Sequence, residues 1–402
     1  MTKIQTMLFT TPNKKISSIM GTDPDEMDTP RQGSDRVLLV SVIILMVFGV
    51  LAVYSAIAYF AESNQTSAFS LVTGHILKLA IAFLVLLIAS KIDYHTTIKL
   101  SRIAMVTSWV LLVAVMIFGS DAFGARRSLN IGGVSFQPSS FAAVALLIHI
   151  CVLLGEKQSY IKDLKKAFLP ILFWVVITCG LIAIEDFSSA TILMVMCLLI
   201  MFIGRISTLQ LSGLVLIAVV GGAGFIATSP ERQSRIDEYV TQITDINSEQ
   251  FNVEEGYQAQ QAHIAIAQGE IFGVGIGKST QRDFLPAPYN DFIFAIIAEE
   301  YGLIGSVSLI LLFTLILFRG IAVTAKNAPD TVGTLLAVAC TLMITLYGFV
   351  NAAVASGLFP VTGLPMPFVS YGGSSMVFAG LMVGILLNIS KQSTKKQAVF
   401  YA

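Results

Sequence analysis

A helix crosses the hydrocarbon core of a bilayer with about 20 consecutive apolar residues, and this chain supplies ten such runs. They cover roughly 37–60, 74–90, 103–119, 140–155, 167–184, 189–204, 208–228, 303–324, 332–356 and 374–390. The runs at 140–155 and 189–204 are short, which predicts tilted helices or helices that extend into polar flanks. Charged residues make up only 12% of the chain and mean hydropathy is +0.79. A soluble domain carries about 25% charged residues. The expected fold is therefore an all-α integral membrane protein with about ten transmembrane helices and the lipid bilayer as solvent. A large extracytoplasmic loop separates helices seven and eight. Net charge is zero, so no global basic field points to nucleic acid.

Basic residues orient the helices. With the N-terminus inside, most of the 25 Lys and Arg fall in inside segments. These include Arg31, Arg36, Lys91, Lys99, Arg102, Lys157, Lys162, Lys165, Lys166, Arg205, Arg319, Lys326, Lys391, Lys395 and Lys396. The short outside loops hold only Arg126 and Arg127. That asymmetry predicts both termini in the cytoplasm. Residues 1–35 are polar, contain no signal-peptide core and read as a disordered cytoplasmic tail. Residues 36–392 form the membrane domain, and 393–402 a second cytoplasmic tail. Cys151, Cys179, Cys197 and Cys340 sit in apolar runs and read as core thiols. His75, His95, His149 and His263 are too scattered for a metal motif.

Residues 229–302 are too long for an ordinary connection. A charged stretch to Glu255 leads into an Ala- and Gln-rich helix to Gly269, then a turn spaced by Gly273, Gly275 and Gly277. Pro286 and Pro288 delay the next helix until Asn290, which predicts an N-cap there. Asp291 would then lie in the first helical turn against Phe292, Ile293 and Phe294, at the membrane's outer face. An ionisable group so placed is a functional candidate, although a first-turn Asp also complements the helix dipole. Glu299 is about 12 Å further along such a helix and turned by roughly 80°. A paired-carboxylate glycosidase is excluded on that spacing. One carboxylate suffices when the leaving group is a pyrophosphate, which departs without a proton. Such a reaction needs one general base for the acceptor hydroxyl and positive charge for the phosphates.

Gly277-Lys278-Ser279 ends like a nucleotide-binding P-loop, but the required earlier glycine is Phe272. Lys278 and Arg282 remain either pyrophosphate contacts or solvated loop charges. A second outside segment, 360–375, has no charge, three prolines and three glycines. Non-helical backbone at membrane depth must be buried in protein or line a cavity. Its amides, with Ser370, Tyr371, Ser374 and Ser375, either bind a polar headgroup or form a tight structural loop. Glu185 and Asp186 either line the cavity or cap a helix end, and Lys78 either faces the bundle interior or snorkels outward.

These residues resemble the signatures of a known family. Gly256-Tyr257-Gln258 with Gln261, the Gly273/Gly275/Gly277 turn, Leu285-Pro286 with Asp291-Phe292-Ile293-Phe294 and Glu299-Glu300, and Pro360 through Pro367 to Ser375 are similar to the shape, elongation, division and sporulation (SEDS) family. That family includes FtsW, RodA and SpoVE. The resemblance implies ten helices with a large outside loop and peptidoglycan glycosyltransferase activity. Lipid II would be added to a nascent glycan with loss of undecaprenyl pyrophosphate. It implies Asp291 as the catalytic residue. It implies a substrate-binding set of Lys278, Gln281, Arg282, Ser370, Tyr371, Gly372, Gly373, Ser374 and Ser375. Asp186, Lys78, Gln261, Glu299 and Glu300 support them. A divalent cation, Mg or Mn, is expected, and no organic cofactor. The implied partners are a single-pass class B penicillin-binding protein and other division-machinery membrane proteins. Lys278 through Gln281, and Ala295 through Glu300, are similar to the FtsW branch, which implies the division septum of the bacterial inner membrane.

Three positions depart from the family pattern. Arg127-Ser128-Leu129 stands where Arg-Trp-Ile is usual. Ser140 and Ala143 replace a Glu and a Lys. Losing both partners of an ion pair is nearly neutral where losing one is costly, so the paired change reads as a structural bridge replaced together. Glu185-Asp186-Phe187-Ser188 stands where Pro-Asp-x-Gly is usual. Two other functions fit ten helices and an uncharged re-entrant loop: a lipid II flippase and a non-catalytic scaffold.

Overall fold

The computed structural model describes residues 34–63, 67–122, 125–131, 134–244, 254–285 and 288–401. The chain runs through α1 (Arg36–Ser63), α2 (Ala68–Lys91) and α3 (Tyr94–Phe118). A small antiparallel sheet comes next, with β1 (Ser120–Ala122), β2 (Ala125–Ile131) and β3 (Val134–Phe136). Then come α4 (Pro138–Glu156), α5 (Leu169–Glu185), α6 (Phe187–Ile203), α7 (Thr208–Ala227), α8 (Pro230–Thr244) and α9 (Glu254–Gly269). The chain closes with α10 (Ile293–Phe318), α11 (Thr331–Ala355) and α12 (Ser374–Tyr401).

Among the described residues, nine helical segments are long and apolar enough to cross a membrane, and α6 is a shorter apolar helix. The contacts between helix ends sort as ten crossings require. Asp35 before α1 pairs with Arg319 after α10 (2.7 Å). Gln158 after α4 donates to the Gly204 carbonyl after α6 (3.1 Å). Tyr94 at the start of α3 donates to Asp330 before α11 (2.5 Å), and its N–H reaches Asn388 late in α12 (3.0 Å). All of these are even-numbered turns or termini. At the opposite end, Arg127 reaches the Glu185 carbonyl (3.1 Å), Gln137 N–H reaches Ser374 (2.9 Å), and Ser370 reaches the Asn290 carbonyl (2.7 Å). The first set marks the Asp330 end of the bundle and the second the Asp291 end. Because α6 joins them, its 17 residues make the tenth crossing.

Burial is uneven. α4 and α11 are largely enclosed, whereas α7 presents Leu209, Leu216, Ile217 and Val219 outward. Water would penalise such a surface; lipid does not. α2 and α12 form the most extensive helix pair. Gly380 and Gly384 of α12 lie against the backbone of Ala82 and Leu86, where a methyl group would overlap carbonyl oxygens. Small residues four apart allow this approach in a membrane, where close van der Waals packing replaces the hydrophobic drive.

Three expectations change. Most of the 1–35 tail lies outside the described residues, but Asp35 belongs to the bundle: it caps α1 at Leu38 N–H (3.1 Å). The 393–402 segment continues α12 as helix to Tyr401. The outside segment before α4 carries a sheet, in which β2 and β3 pair Ile131 with Val134 and Leu129 with Phe136.

Candidate active site

α10 begins the site because it is broken. Gly302 has φ 65° and ψ −160°, far from helical values. A break frees carbonyls before it and N–H groups after it, and in a membrane these need partners. The segment from Glu270 to Gly275 supplies four of them. Val274 and Gly275 N–H donate to the Glu299 and Glu300 carbonyls (2.9 and 3.1 Å). Leu303 and Ile304 N–H donate to the Glu270 and Ile271 carbonyls (2.9 and 3.3 Å). Gly273 (φ 81°) and Gly302 approach so closely that a Cβ on either would strike the other's backbone. The first half of α10 is thereby cut from the membrane span and clamped by the outer loop.

The two glutamates complete the clamp. Glu299 is fully buried and accepts from Ser279 Oγ (2.5 Å), Thr280 N–H (2.8 Å), Thr280 Oγ1 (3.1 Å) and Gln281 N–H (3.3 Å). Glu300 accepts from Ser55 Oγ and Ser279 N–H. A carboxylate holding several N–H groups fixes a loop as a bound anion would. Arg282 donates to the Ser55 carbonyl (3.0 Å), and Gln281 donates to Gln268 (3.4 Å). Gln281 and Arg282, expected to bind substrate, are thus engaged in the loop's own scaffold. Lys278 is exposed, and Gln261 is half-buried on α9.

Asp291 differs from these carboxylates. The expected cap at Asn290 does not form; α10 starts at Ile293, and residues 288–292 make a turn. The physical reason is a tie to the 360–375 loop. Ser370 Oγ donates to the Asn290 carbonyl, Tyr371 N–H donates to the Tyr289 carbonyl (2.8 Å), and Asn351 Nδ2 donates to the Asp291 carbonyl (2.9 Å). Those bonds occupy the backbone groups a first helical turn would use. The Asp291 side chain therefore lies just before the helix and not in its first turn. Its Oδ1 is buried and accepts no hydrogen bond. Burial pushes the carboxyl up to about 6; Arg127 opposes the rise and Asp186 adds to it.

Asp186 caps α6 by accepting from Ser189 N–H (3.0 Å) and Oγ (2.7 Å), and it also acts on Asp291 through its charge. Arg127 joins the site although the sequence marks it only by its neighbours Ser128 and Leu129. Its place on β2, in a sheet that folds over the mouth, gives it the role, and no local pattern signals that placement.

The 360–375 loop is divided in its roles. Ser370 accepts Met366 N–H (2.8 Å) while donating to Asn290, so it binds the loop together. Ser374 accepts the Gln137 N–H. Ser375 and Gly372 line a cleft of about 510 Å³, open mouth included, with Ser140, Tyr347, Met343 and Met376. Gly373 lies beside the Ser135 carbonyl (3.6 Å to an added Cβ). Tyr371 reaches α2: Lys78 Nζ is 4.0 Å from its ring centroid and His75 stacks on it at 5.6 Å. Lys78 therefore faces the interior and meets an aromatic ring.

Among the described residues, no group of three or more His, Cys, Asp or Glu stands together as a metal site. Magnesium commonly takes one or two carboxylates plus substrate phosphates. Glu185 Oε1, buried without a hydrogen bond beside Asp186, is compatible with that lesser share.

Comparison with known proteins places this architecture. Residues 35–395 match the family model FTSW_RODA_SPOVE, described as cell cycle protein. Stage V sporulation protein E of Bacillus subtilis is 34% identical, over 91% of this chain and 100% of that protein. A probable peptidoglycan glycosyltransferase FtsW of Geobacter is 32% identical, over 89% and 97% of the two chains. In fold, the chain matches one from a structure described as structural coordination of polymerization and crosslinking by a peptidoglycan synthase complex. The TM-score is 0.71 at 23% identity, over 89% of this chain and 98% of the other. The Thermus thermophilus rod shape determining protein RodA matches at TM-score 0.64 and 21% identity, over 89% and 97%. With a family model spanning nearly all of its residues and relatives above 30% identity along most of their length, this chain belongs to the FtsW/RodA/SpoVE family.

Proposed function

We propose that this protein is a peptidoglycan glycosyltransferase that polymerises lipid II into glycan strands and releases undecaprenyl pyrophosphate. The observation that carries the reading is Asp291: a buried carboxylate with a vacant acceptor atom, held at the mouth of the bundle in a turn fixed from three sides. A carboxyl with a raised affinity for protons is a better general base than an ordinary aspartate. Asp291 accepts the proton of the acceptor sugar's hydroxyl, and that oxygen forms the new bond at the donor sugar's anomeric carbon. The bond to the diphosphate breaks and the diphosphate leaves with the electron pair. No second carboxylate is needed to protonate it. Asp186 and Arg127 set the charge around the base. Glu185 and Asp186 would hold a divalent cation, which would supply positive charge to the leaving group.

The Lys and Arg distribution supports a cytoplasmic Asp330 end and an extracytoplasmic Asp291 end. We place the protein in the bacterial cytoplasmic membrane with both termini inside. We assign it to the division septum with a crosslinking class B penicillin-binding protein and other division proteins as partners; the cell cycle description of its family and its fold match to a chain of a peptidoglycan synthase complex that couples polymerization and crosslinking support this reading.

The test is lipid II polymerisation by purified protein, with and without that partner and with divalent cation present. Glycan chains from the wild type are expected. No polymer under any condition, together with lipid II translocation in vesicles, would replace the enzyme with a flippase.

A further inference from the structure

The reaction needs a cation where the diphosphate departs. Arg282 is held by the Ser55 carbonyl, Arg127 by the Glu185 carbonyl, and Lys278 lies exposed on the loop. Lys78 is different. It sits within the apolar span α2, half-buried, and among the described residues no carboxylate pairs with it. An ammonium inside a span is costly unless something compensates its charge. The Tyr371 ring does so in part, through a cation–π contact. One turn earlier on the same helix face is His75, fully buried, with both ring nitrogens lacking a partner. A neutral imidazole carries one N–H donor and one acceptor, and leaving such buried groups unmade is costly. Lys78, which no carboxylate pairs, and His75, whose two ring nitrogens are unmade, lie on one face of one helix against one tyrosine and mark a place for a polar ligand.

That place is tied to the base. Lys78 lies one turn beyond Gly74, whose added Cβ would sit 3.8 Å from the Tyr371 hydroxyl, so the Tyr371 side chain runs along this stretch of α2. Tyr371 is held by its N–H to the Tyr289 carbonyl and by the Tyr289 ring edge-on at 5.5 Å. Tyr289 is two residues before Asp291. The Gly380 and Gly384 contacts fix α2 against α12, directly after this loop. One hydrogen bond and a stack of rings therefore set the distance between ammonium and carboxylate.

We propose that Lys78, positioned by Tyr371 and backed by His75, receives the diphosphate of the polyprenyl-linked donor and compensates its charge as it leaves. The inference rests on the glycosyltransferase reading above. Lys78 is a binding residue; Tyr371 and His75 are positioning residues.

The test compares wild type, Lys78→Met, Lys78→Arg, Tyr371→Phe and Tyr371→Leu, all purified full-length. It measures kcat and KM for lipid II and inhibition by added undecaprenyl pyrophosphate. Removing a transition-state charge partner typically costs about 10²–10³-fold. Lys78→Met is expected to lose kcat/KM on that scale and to bind the diphosphate product at least tenfold more weakly. Lys78→Arg should recover much of both. Tyr371→Phe, which keeps the ring, should retain more of the product inhibition than Tyr371→Leu, which weakens it as Lys78→Met does. Folding is checked by melting temperature, which Lys78→Met should hold or raise because an unpaired charge leaves the span. Wild-type-like kcat/KM and product inhibition in a folded Lys78→Met protein would overturn the proposal and leave the enzyme reading intact. Loss of activity with unchanged product inhibition would also overturn it. A wild type that makes no polymer fails the enzyme reading itself, before any variant is compared.

Discussion

The two ends of the bundle handle carboxylates in opposite ways. At the Asp330 end Asp35, Asp330 and Asp93 are answered. Asp35 meets Arg319 and the Leu38 N–H; Asp330 accepts from Tyr94 and from Gly333 N–H (2.6 Å). Asp93 is held down to about 2, first by the Gln392 side chain and then by the His95 N–H. At the Asp291 end, buried acceptors go unanswered: Asp291 Oδ1, Glu185 Oε1, Gln281 Oε1, Glu300 Oε2 and Asn351 Oδ1. Asp291 is lifted to about 6 where Asp93 is lowered. Gln210 Oε1 and Thr324 Oγ1 are also unmade at the Asp330 end, but among the described residues every buried carboxylate oxygen without a hydrogen bond, on Glu185, Asp291 and Glu300, lies at the Asp291 end. Unanswered buried carboxylates are the mark of a site built for a substrate.

The largest effect that would break this contrast is on activity. Asp291→Asn should reduce polymerisation about 10²–10⁴-fold, while Asp93→Asn at the other end leaves the specific activity of folded protein unchanged. Equal losses from both would dissolve the distinction.

Stability should show the reverse pattern. Arg319→Ala leaves Asp35 buried and unpaired, which costs about 3–5 kcal/mol; detergent-solubilised protein should melt correspondingly lower. The double change Asp35→Leu with Arg319→Met should restore most of that loss. Asp291→Asn should stabilise. Its carboxyl binds protons more tightly folded than unfolded, so the folded state is penalised above pH 6 and the penalty fades as pH falls toward 4. At pH 8 the gain is at most roughly 3 kcal/mol, read as a higher melting temperature that converges with wild type near pH 4.

The clamp gives a smaller, local effect. Gly302→Ala puts a Cβ at positive φ against the Gly273 backbone, a strain of about 1–3 kcal/mol or more. Proteolysis at the 270–283 loop should accelerate before global melting changes in proportion. A loop cleaved no faster than wild type would mean that the clamp does not depend on Gly302.

Much of this is legible in the sequence. Run length and basic-residue asymmetry fix the crossings, and Pro286 and Pro288 keep Asp291 in view as a carboxylate before a helix. The expected start of α10 is too early because Asn290 has the right side chain for a cap, while the tertiary bonds from Ser370, Tyr371 and Asn351 come from 60 or more residues away. Gln281 and Arg282 look like substrate contacts in a polar loop; only the fold brings Glu299 and Ser55 to them. Arg127 is separated from Glu185 by two helices and acquires meaning only once β2 folds over the mouth. Local pattern gives elements, whereas orphaned atoms belong to the assembled molecule.

The pH dependence of kcat/KM for lipid II polymerisation tests the central claim most directly. A base that must be ionised loses activity as pH falls through its proton affinity. The wild-type acid limb should lie near pH 6, about two units above an ordinary aspartate. Arg127→Gln removes the charge that opposes the rise and should move the limb upward; Asp186→Asn should move it downward. An acid limb near pH 4 that neither substitution moves would contradict the account, because Asp291 would then not be the group whose ionisation drives the reaction.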